Sequence, residues 1–464
     1  MNGTLRPLGI FSIVMITVTS VDSLRNLPGT ALFGSAMIFF FTIAGLCFLL
    51  PSGLVASELS SGWPKTGGIY IWIKEAFGPR WGFLAIWCQW LENVIWYPTI
   101  LSFIAGALAF IISPDLAGSQ YYLMSVIITV FWGLTFLNMA GITLSAKFSE
   151  WCGVLGLILP MTFILILALC WVWGGQPIQV HFSIHDVFPR WNDPELLVSL
   201  TAIVLSFCGM EIATVHAQDV KNPERTYPIA LVISVIFIFL TMLLGALSIA
   251  IVVPAQKLSL VSGIVQAFHE YLSAYHLSWM VPLIAVSIIF GALAAVSNWV
   301  IAPNRGLLVA IRDLKIAPFF QYENKRGAPA RLLLLQSILV TCLSLTYLVM
   351  PSVNSSYWVL TAMTAQVYMI MYILMFAAVV KLRYSQKNTS RPFKIPGGLP
   401  VVWLVAIVGI SASVLTILIG FFPPKALVTG GLFHYEVVLI TGLIVTTCLP
   451  LFLVIFRKLL QKLL

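Results

Sequence analysis

Hydrocarbon accepts a polypeptide only as helices or as a closed barrel, because every backbone polar group must be satisfied without water. This chain is a succession of apolar runs of helix-spanning length, and two of them are broken midway by groups foreign to hydrocarbon. Thr19-Ser20-Val21-Asp22-Ser23-Leu24-Arg25 interrupts the first run, and Ser206-Phe207-Cys208-Gly209-Met210-Glu211 interrupts the sixth. An ionised side chain near a bilayer centre is costly, so it is kept only where it faces a partner, water or a ligand. With 60% hydrophobic and 9% charged residues, a soluble globule is excluded.

At roughly 20 residues per span, about twelve transmembrane helices are expected, near 8–31, 33–56, 82–112, 121–141, 153–174, 195–218, 228–253, 279–303, 330–350, 355–380, 400–422 and 434–456. The fold class is therefore an all-α polytopic membrane protein. Only Arg6 precedes the first run and no cleavage site follows it, so that run reads as a span and not as a removed leader. Two breaks, in the first and sixth spans, are the pattern of an inverted-repeat transporter whose site lies where the unwound middles meet.

Of the 25 Lys and Arg, all but Arg25, Arg190, Lys257 and Lys425 fall on the side that carries the termini. That asymmetry predicts cytoplasmic N- and C-termini. The net charge of +9 then serves insertion, and its dispersal over short loops argues against a nucleic-acid partner. The seven cysteines lie within or at the ends of spans without CxxC spacing, so neither a disulfide framework nor a metal is implied. No phosphate loop is present, which removes transport driven directly by ATP. No nucleophile, base and metal can be assembled from the intramembrane residues, so an enzyme is not expected, and no cofactor is implied.

Four ionisable residues fall inside expected spans: Asp22, Arg25, Glu92 and Glu211. Asp22 and Arg25 are three apart, so on a continuous helix they share a face and pair. Alternatively one or both touch substrate, Arg25 suiting a carboxylate and Asp22 an ammonium. Glu211 follows Cys208-Gly209-Met210, where glycine tolerates unwound backbone; it is a candidate proton site, a gate or a structural anchor. Glu92 sits in a polar stretch of the third span, either satisfied there or coupling protons. Trp299, beside Asn298, can wall a cavity and stack on an ammonium. Phe207 is a candidate lid, and Tyr97 and Tyr368 are weaker cavity candidates; for all four aromatics plain packing is the competing role.

The residues also carry a family resemblance. The matching pieces are Glu58 through Trp63-Pro64-Lys65-Thr66-Gly67-Gly68-Ile69-Tyr70, then Phe77-Gly78-Pro79-Arg80-Trp81-Gly82-Phe83. They continue with Gly209-Met210-Glu211-Ile212-Ala213, Val215-His216 and Asn222-Pro223-Glu224-Arg225-Thr226-Tyr227-Pro228. Trp299 with Pro303 and Arg305-Gly306, and Phe393-Lys394-Ile395-Pro396-Gly397-Gly398, complete the set. Together, in order and at matching spacing, they make the chain resemble the amino acid-polyamine-organocation transporters, and within them the bacterial glutamate/γ-aminobutyrate antiporters.

The resemblance implies a five-plus-five inverted repeat of the leucine-transporter type within one domain, 1–464: repeat one about 8–174, repeat two about 195–380, and extra spans about 400–456. It implies a bacterial inner-membrane permease that exchanges small amino acids or amines by alternating access, substrate lying between spans one, three, six, eight and ten. In such relatives the substrate carboxylate meets backbone amides at the first break and the amine meets carbonyls at the sixth. Carried over, this gives Val21, Asp22 and Ser23, with Ser20 and Arg25 adjoining, and Phe207, Cys208 and Gly209. Trp299 joins the substrate-binding set; Glu92, Glu211, Tyr97 and Tyr368 form the gating or proton-coupling set.

One departure bears on substrate. Where many members have Gly-Ser-Gly, this chain has Val21-Asp22-Ser23. An acid at that place repels a carboxylate unless Arg25 neutralises it, so a cationic amino acid or an amine competes with glutamate. After the last span the residues to Leu464 are too few for a folded plug, which leaves pH gating to Glu92, Glu211 or loop histidines such as His216. A proton-coupled symporter and a binding sensor without flux are the alternatives to an exchanger.

Overall fold

The computed structural model describes residues 9–65, 67–140, 151–188, 197–213, 223–425, 427–428 and 431–455. Besides Met37–Ala44 and the short Ile184–Val187 and Thr346–Val349, these form helices α1 (Ile10–Val21), α2 (Leu27–Ala31), α3 (Leu50–Gly62), α4 (Ile69–Phe77), α5 (Pro79–Ile112), α6 (Gln120–Met139), α7 (Leu159–Trp173), α8 (Ser199–Ser206) and α9 (Met210–Ala213). They continue with α10 (Pro223–Val252), α11 (Gly263–Ala274), α12 (Val281–Leu314), α13 (Ala330–Ser344), α14 (Val353–Ser385), α15 (Gly398–Ile419) and α16 (Leu432–Ile455). No strand occurs among the described residues. Ten helical stretches there are long and apolar enough to cross a membrane, from Ile10–Ala31 to Gly398–Ile419.

Two of the twelve expected spans fall outside that set. The sixth is cut into α8 and α9, with 214–222 outside the described residues, as is His216. The last corresponds to α16, whose apolar stretch Leu432–Ile444 is shorter. Two of the intervals between expected spans hold helices, α4 and α11, and α12 continues well past the expected end of its span.

The first span shows how polar residues are carried in an apolar helix. Thr17, Thr19 and Ser20 each donate their hydroxyl to a carbonyl one turn earlier, at 2.8, 2.8 and 2.7 Å, so these side chains cost little in hydrocarbon. The α-helix ends where the Asp22 amide donates to Val18 O (2.8 Å) and Asp22 turns extended, ψ 129°. Ser23 is also extended; a 3₁₀ turn, Leu24–Asn26, then leads into α2 with Pro28 in its first turn, where a missing amide donor does no harm.

The spans holding α5 and α14 are 72% and 78% buried, more than any of the other eight, and α12 packs along α5. These three helices form the wall on which the site is built. Small residues let α12 meet the fifth span: a Cβ on Gly156 would lie 2.3 Å from Gly291 Cα, so the two backbones touch. Pro303 inside α12 has no amide donor for the carbonyl of Trp299. Tyr97 on α5 supplies it, its hydroxyl donating to Trp299 O at 2.8 Å.

Candidate functional site

The two breaks come together. Gly209 has φ +113°, and a Cβ there would stand 2.9 Å from the carbonyl oxygen of Ser20, so only glycine lets the sixth-span break lie against the end of α1. Beside this contact lies a cavity of about 1220 Å³. Its wall includes Ser20, Val21, Asp22, Ser23, Arg25, Cys208 and Gly209 from the breaks, and Glu92, Glu211, Trp299 and Tyr368 from around them. At the end where α1 begins, the lining residues Phe11 and Arg305 are exposed; at the other end Arg25, Ile100 and Phe103 are buried. Among the described residues the cavity is thus open toward the start of the first span and closed beyond Arg25.

Asp22 and Arg25 do not pair. Among the described residues no ion pair joins them, which corrects the expectation from their spacing. Three residues place two side chains on one face only along a continuous helix, and Asp22 and Ser23 are extended. Asp22 turns to α10, where the Thr241 hydroxyl donates to Oδ2 at 2.8 Å, leaving Oδ1 buried without a hydrogen bond. Arg25 turns the other way. Its Nη1 donates to Thr99 Oγ1 on α5 (2.8 Å) and Tyr357 OH on α14 (3.3 Å), and Nη2 donates to Asn26 Oδ1 (2.5 Å). The guanidinium lies over Trp96 at 5.7 Å and Tyr357 at 5.9 Å, and its Nε has no partner.

Glu211 lies in the first turn of α9 and accepts hydrogen bonds from two tyrosines of α14: Tyr368, and Tyr372 at 2.5 Å. Gln89 on α5 adds a third donor at 3.3 Å. Tyr372 also accepts the Gly209 amide at 2.9 Å, so one hydroxyl holds both the unwound backbone and the carboxylate that follows it. Glu92 accepts from Asn93 Nδ2 at 3.0 Å and lies within electrostatic reach of Glu211 and Arg25.

The other aromatic candidates divide. Trp299 is partly buried and lines the cavity, 6.0 Å from Trp96, so Arg25, Trp96 and Trp299 form one continuous stretch of wall. Phe207 does not line it: its ring packs edge-on against Phe41 at 5.5 Å, fully buried. Tyr97 is absent from the wall too, packed on Trp96 and Phe131 while its hydroxyl serves Trp299 O. Sequence reasoning missed Gln89, Trp96, Thr99, Thr241, Tyr357 and Tyr372. Only Tyr372 left a signal, one helical turn after Tyr368. Among the described residues no group of three or more His, Cys, Asp or Glu could hold a metal ion.

Sequence comparison with known proteins places the chain among transporters. The amino acid permease family model matches residues 8–444. The chain is 42% identical to an uncharacterised transporter of Legionella pneumophila, over 97% of each chain. It is 29% identical to the glutamate/gamma-aminobutyrate antiporter of Lactococcus lactis strain IL1403, over 96% of this chain and 90% of that one. It is 24% identical to a probable agmatine/putrescine antiporter of the same organism, over 84% and 82% respectively. These relatives are transporters and not enzymes.

Proposed function

Because this chain belongs to the amino acid permease family, we propose that it is a secondary active transporter exchanging an amino acid for a related amine or amino acid by alternating access. In this reading the chain has twelve spans, repeats about 8–174 and 195–380 of inverted topology, and extra spans about 400–456. It sits in a bacterial inner membrane with both termini cytoplasmic, so the open end of the cavity faces the cytoplasm. The observation that carries the reading is the meeting of Gly209 with the Ser20 carbonyl beside a cavity lined by Asp22, Arg25, Glu92 and Glu211.

Physical chemistry makes such a site suitable for a zwitterion. A break exposes helix-end carbonyls on one side and amides on the other. The Asp22 amide is taken by Val18 O, so the amides that follow it at the first break are the ones that suit a carboxylate, and carbonyls around Phe207, Cys208 and Gly209 suit an amine. For Phe207 the contribution is its backbone, since its ring is turned into the core. Trp299 and Trp96 supply apolar wall for the substrate's carbon chain. Glu211, tied to Tyr368 and Tyr372, connects the sixth-span break to α14 and forms a gate whose bonds change as the breaks move. The antiporter names of two relatives support exchange.

Proton-coupled symport is the second reading, favoured by two buried carboxylates, Glu92 and Glu211, facing one cavity. Radiolabelled counterflow in proteoliposomes separates the two. Uptake that requires an internal amino acid or amine supports exchange and names the pair. Uptake into unloaded vesicles under a pH gradient establishes the symporter, and binding without flux in either format overturns both.

A further inference from the structure

We propose that Arg25 bolts the closed end of the cavity and that a substrate carboxylate releases it, so that this one side chain couples substrate binding to reopening of that end. The inference rests on the exchanger reading above.

Arg25 is 2% exposed, yet it meets no carboxylate: its partners are the neutral oxygens of Thr99, Tyr357 and Asn26. Those partners lie on three different elements, α5, α14 and the turn that carries Arg25 itself. Tyr357 bonds back, its hydroxyl donating to the Arg25 carbonyl at 3.0 Å, so the first span is fastened to α14 by side chain and backbone together. One layer further out, the Tyr347 hydroxyl donates to Ser102 Oγ at 2.7 Å, and both residues are fully buried. Among the described residues no ion pair closes this end; a cation hydrogen-bonded to neutral acceptors does, with Glu92 within electrostatic reach.

A guanidinium binds a carboxylate best through two parallel donors. On Arg383 the donor pair Nε and Nη2 takes Glu58 at 2.6 and 2.7 Å. On Arg25 the same edge is underused, with Nε buried and unpartnered and Nη2 on the Asn26 amide oxygen. A carboxylate entering from the cavity takes that edge from Asn26 Oδ1, and in this proposal its pull on the guanidinium loosens the Nη1 bonds to Thr99 and Tyr357. Without a carboxylate the bolt stays shut. An exchanger needs this behaviour: the loaded carrier crosses readily and the unloaded carrier does not.

The experiment is efflux of preloaded radiolabelled substrate from proteoliposomes, with and without external amino acid, for wild type, Thr99→Val, Tyr357→Phe and Arg25→Gln. Neither Thr99 nor Tyr357 lines the cavity. Both variants are expected to keep exchange while efflux into substrate-free medium rises about tenfold, the worth of one hydrogen bond to a charged group. Arg25→Gln is expected to leak likewise and to lose stimulation by external carboxylate-bearing substrates. Putrescine, which has no carboxylate, is expected not to stimulate wild-type efflux, so this inference narrows the counter-substrate of the exchanger reading to amino acids and to amines that also bear a carboxylate. The inference is overturned if both hydroxyl variants exchange with wild-type leak, or if Arg25→Gln keeps its stimulation. Should the valine and phenylalanine variants fail to fold, Thr99→Ala must leak, and wild-type leak in that variant counts against the bolt. A wild type that exchanges nothing sinks the exchanger reading and this inference with it, whereas normal exchange with an unchanged leak sinks this inference alone.

Discussion

Two buried arginine sites in this molecule are built from the same side chain and have opposite outcomes. At the end of α3, Glu58 receives both parallel donors of Arg383, the Ile395 amide at 2.9 Å, and Arg391 Nε at 3.8 Å. Arg391 is itself held by the carbonyls of Leu382 and Gln386 and lies 5.0 Å over Trp63. At the first break, Arg25 has three neutral hydrogen-bond partners and, among the described residues, no ion pair, Glu92 acting on it only at a distance. The Glu58 cluster is away from the cavity and Arg25 is on it. A buried charge whose partner belongs to the fold is an anchor. One whose partner does not belong to the fold is available to something that arrives.

The contrast breaks if Glu58 proves dispensable. Glu58→Gln leaves the buried Arg391 and the partly buried Arg383 short of their carboxylate, and the expected cost is about 3–5 kcal/mol, the largest effect here. Thermal unfolding of purified protein checks it; an unchanged midpoint would mean that Arg383 and Arg391 are satisfied without Glu58. Gly209→Ala comes next. Its φ of +113° and the 2.9 Å approach to Ser20 O both oppose a side chain, with a cost of about 1–3 kcal/mol. Exchange should be lost in protein that still elutes as a folded species, and full exchange would separate the two breaks.

The spans and the two breaks were readable because run length, hydropathy and a misplaced charge are local properties of the chain. The bonding at the breaks was not, because it depends on residues brought in from elsewhere: Thr99 lies 74 positions from Arg25 and Tyr357 lies 332. The expected Asp22–Arg25 pair failed for a related reason. It assumed helical geometry through residues whose departure from the helix was itself the signal. Glu211 was legible as a charge out of place, but its two tyrosine donors were not, and Phe207 looked like a lid only because it adjoins the break. Helix α4 escaped notice since it is short and lies between glycines.

Smaller effects sharpen the comparison. Asp22 is the first break's other ionisable group, with the Thr241 hydroxyl as its side-chain partner. Asp22→Asn is expected to weaken the amine-bearing partner of the exchange about tenfold, the worth of one charged hydrogen bond, while expression holds. Equal affinity for every substrate would remove Asp22 from the site. Arg25→Gln should cost only about 1 kcal/mol of stability, since losing its hydrogen bonds is offset by relief of a desolvated charge. If its unfolding midpoint falls as far as that of Glu58→Gln, then Arg25 is an anchor and the contrast between the sites is void.

An exposed pair tests whether burial is what separates these cases. On the face where α4 meets the end of α12, Lys74 Nζ lies 2.6 Å from Asp313 Oδ2 and the Tyr70 hydroxyl donates to the same oxygen, with the Lys74 and Asp313 side chains 33% and 38% exposed. The bond from Lys74, and after it that from Tyr70, holds the Asp313 carboxyl below the ordinary carboxylate range. A depressed folded value contributes stability that is present above the unfolded pKa, about 3.9, and is lost as pH falls through the folded one. Solvent and salt screen such a pair, so Asp313→Asn should cost less than about 1 kcal/mol at pH 7, less again at high salt, and the gap should close as the medium is acidified below pH 4. Unfolding midpoints of the two proteins at pH 7 and at pH 3 measure it. A gap at pH 7 as large as that of Glu58→Gln would show that desolvation is not what makes the Glu58 cluster strong, and the argument that sets Arg25 apart from it would lose its physical basis.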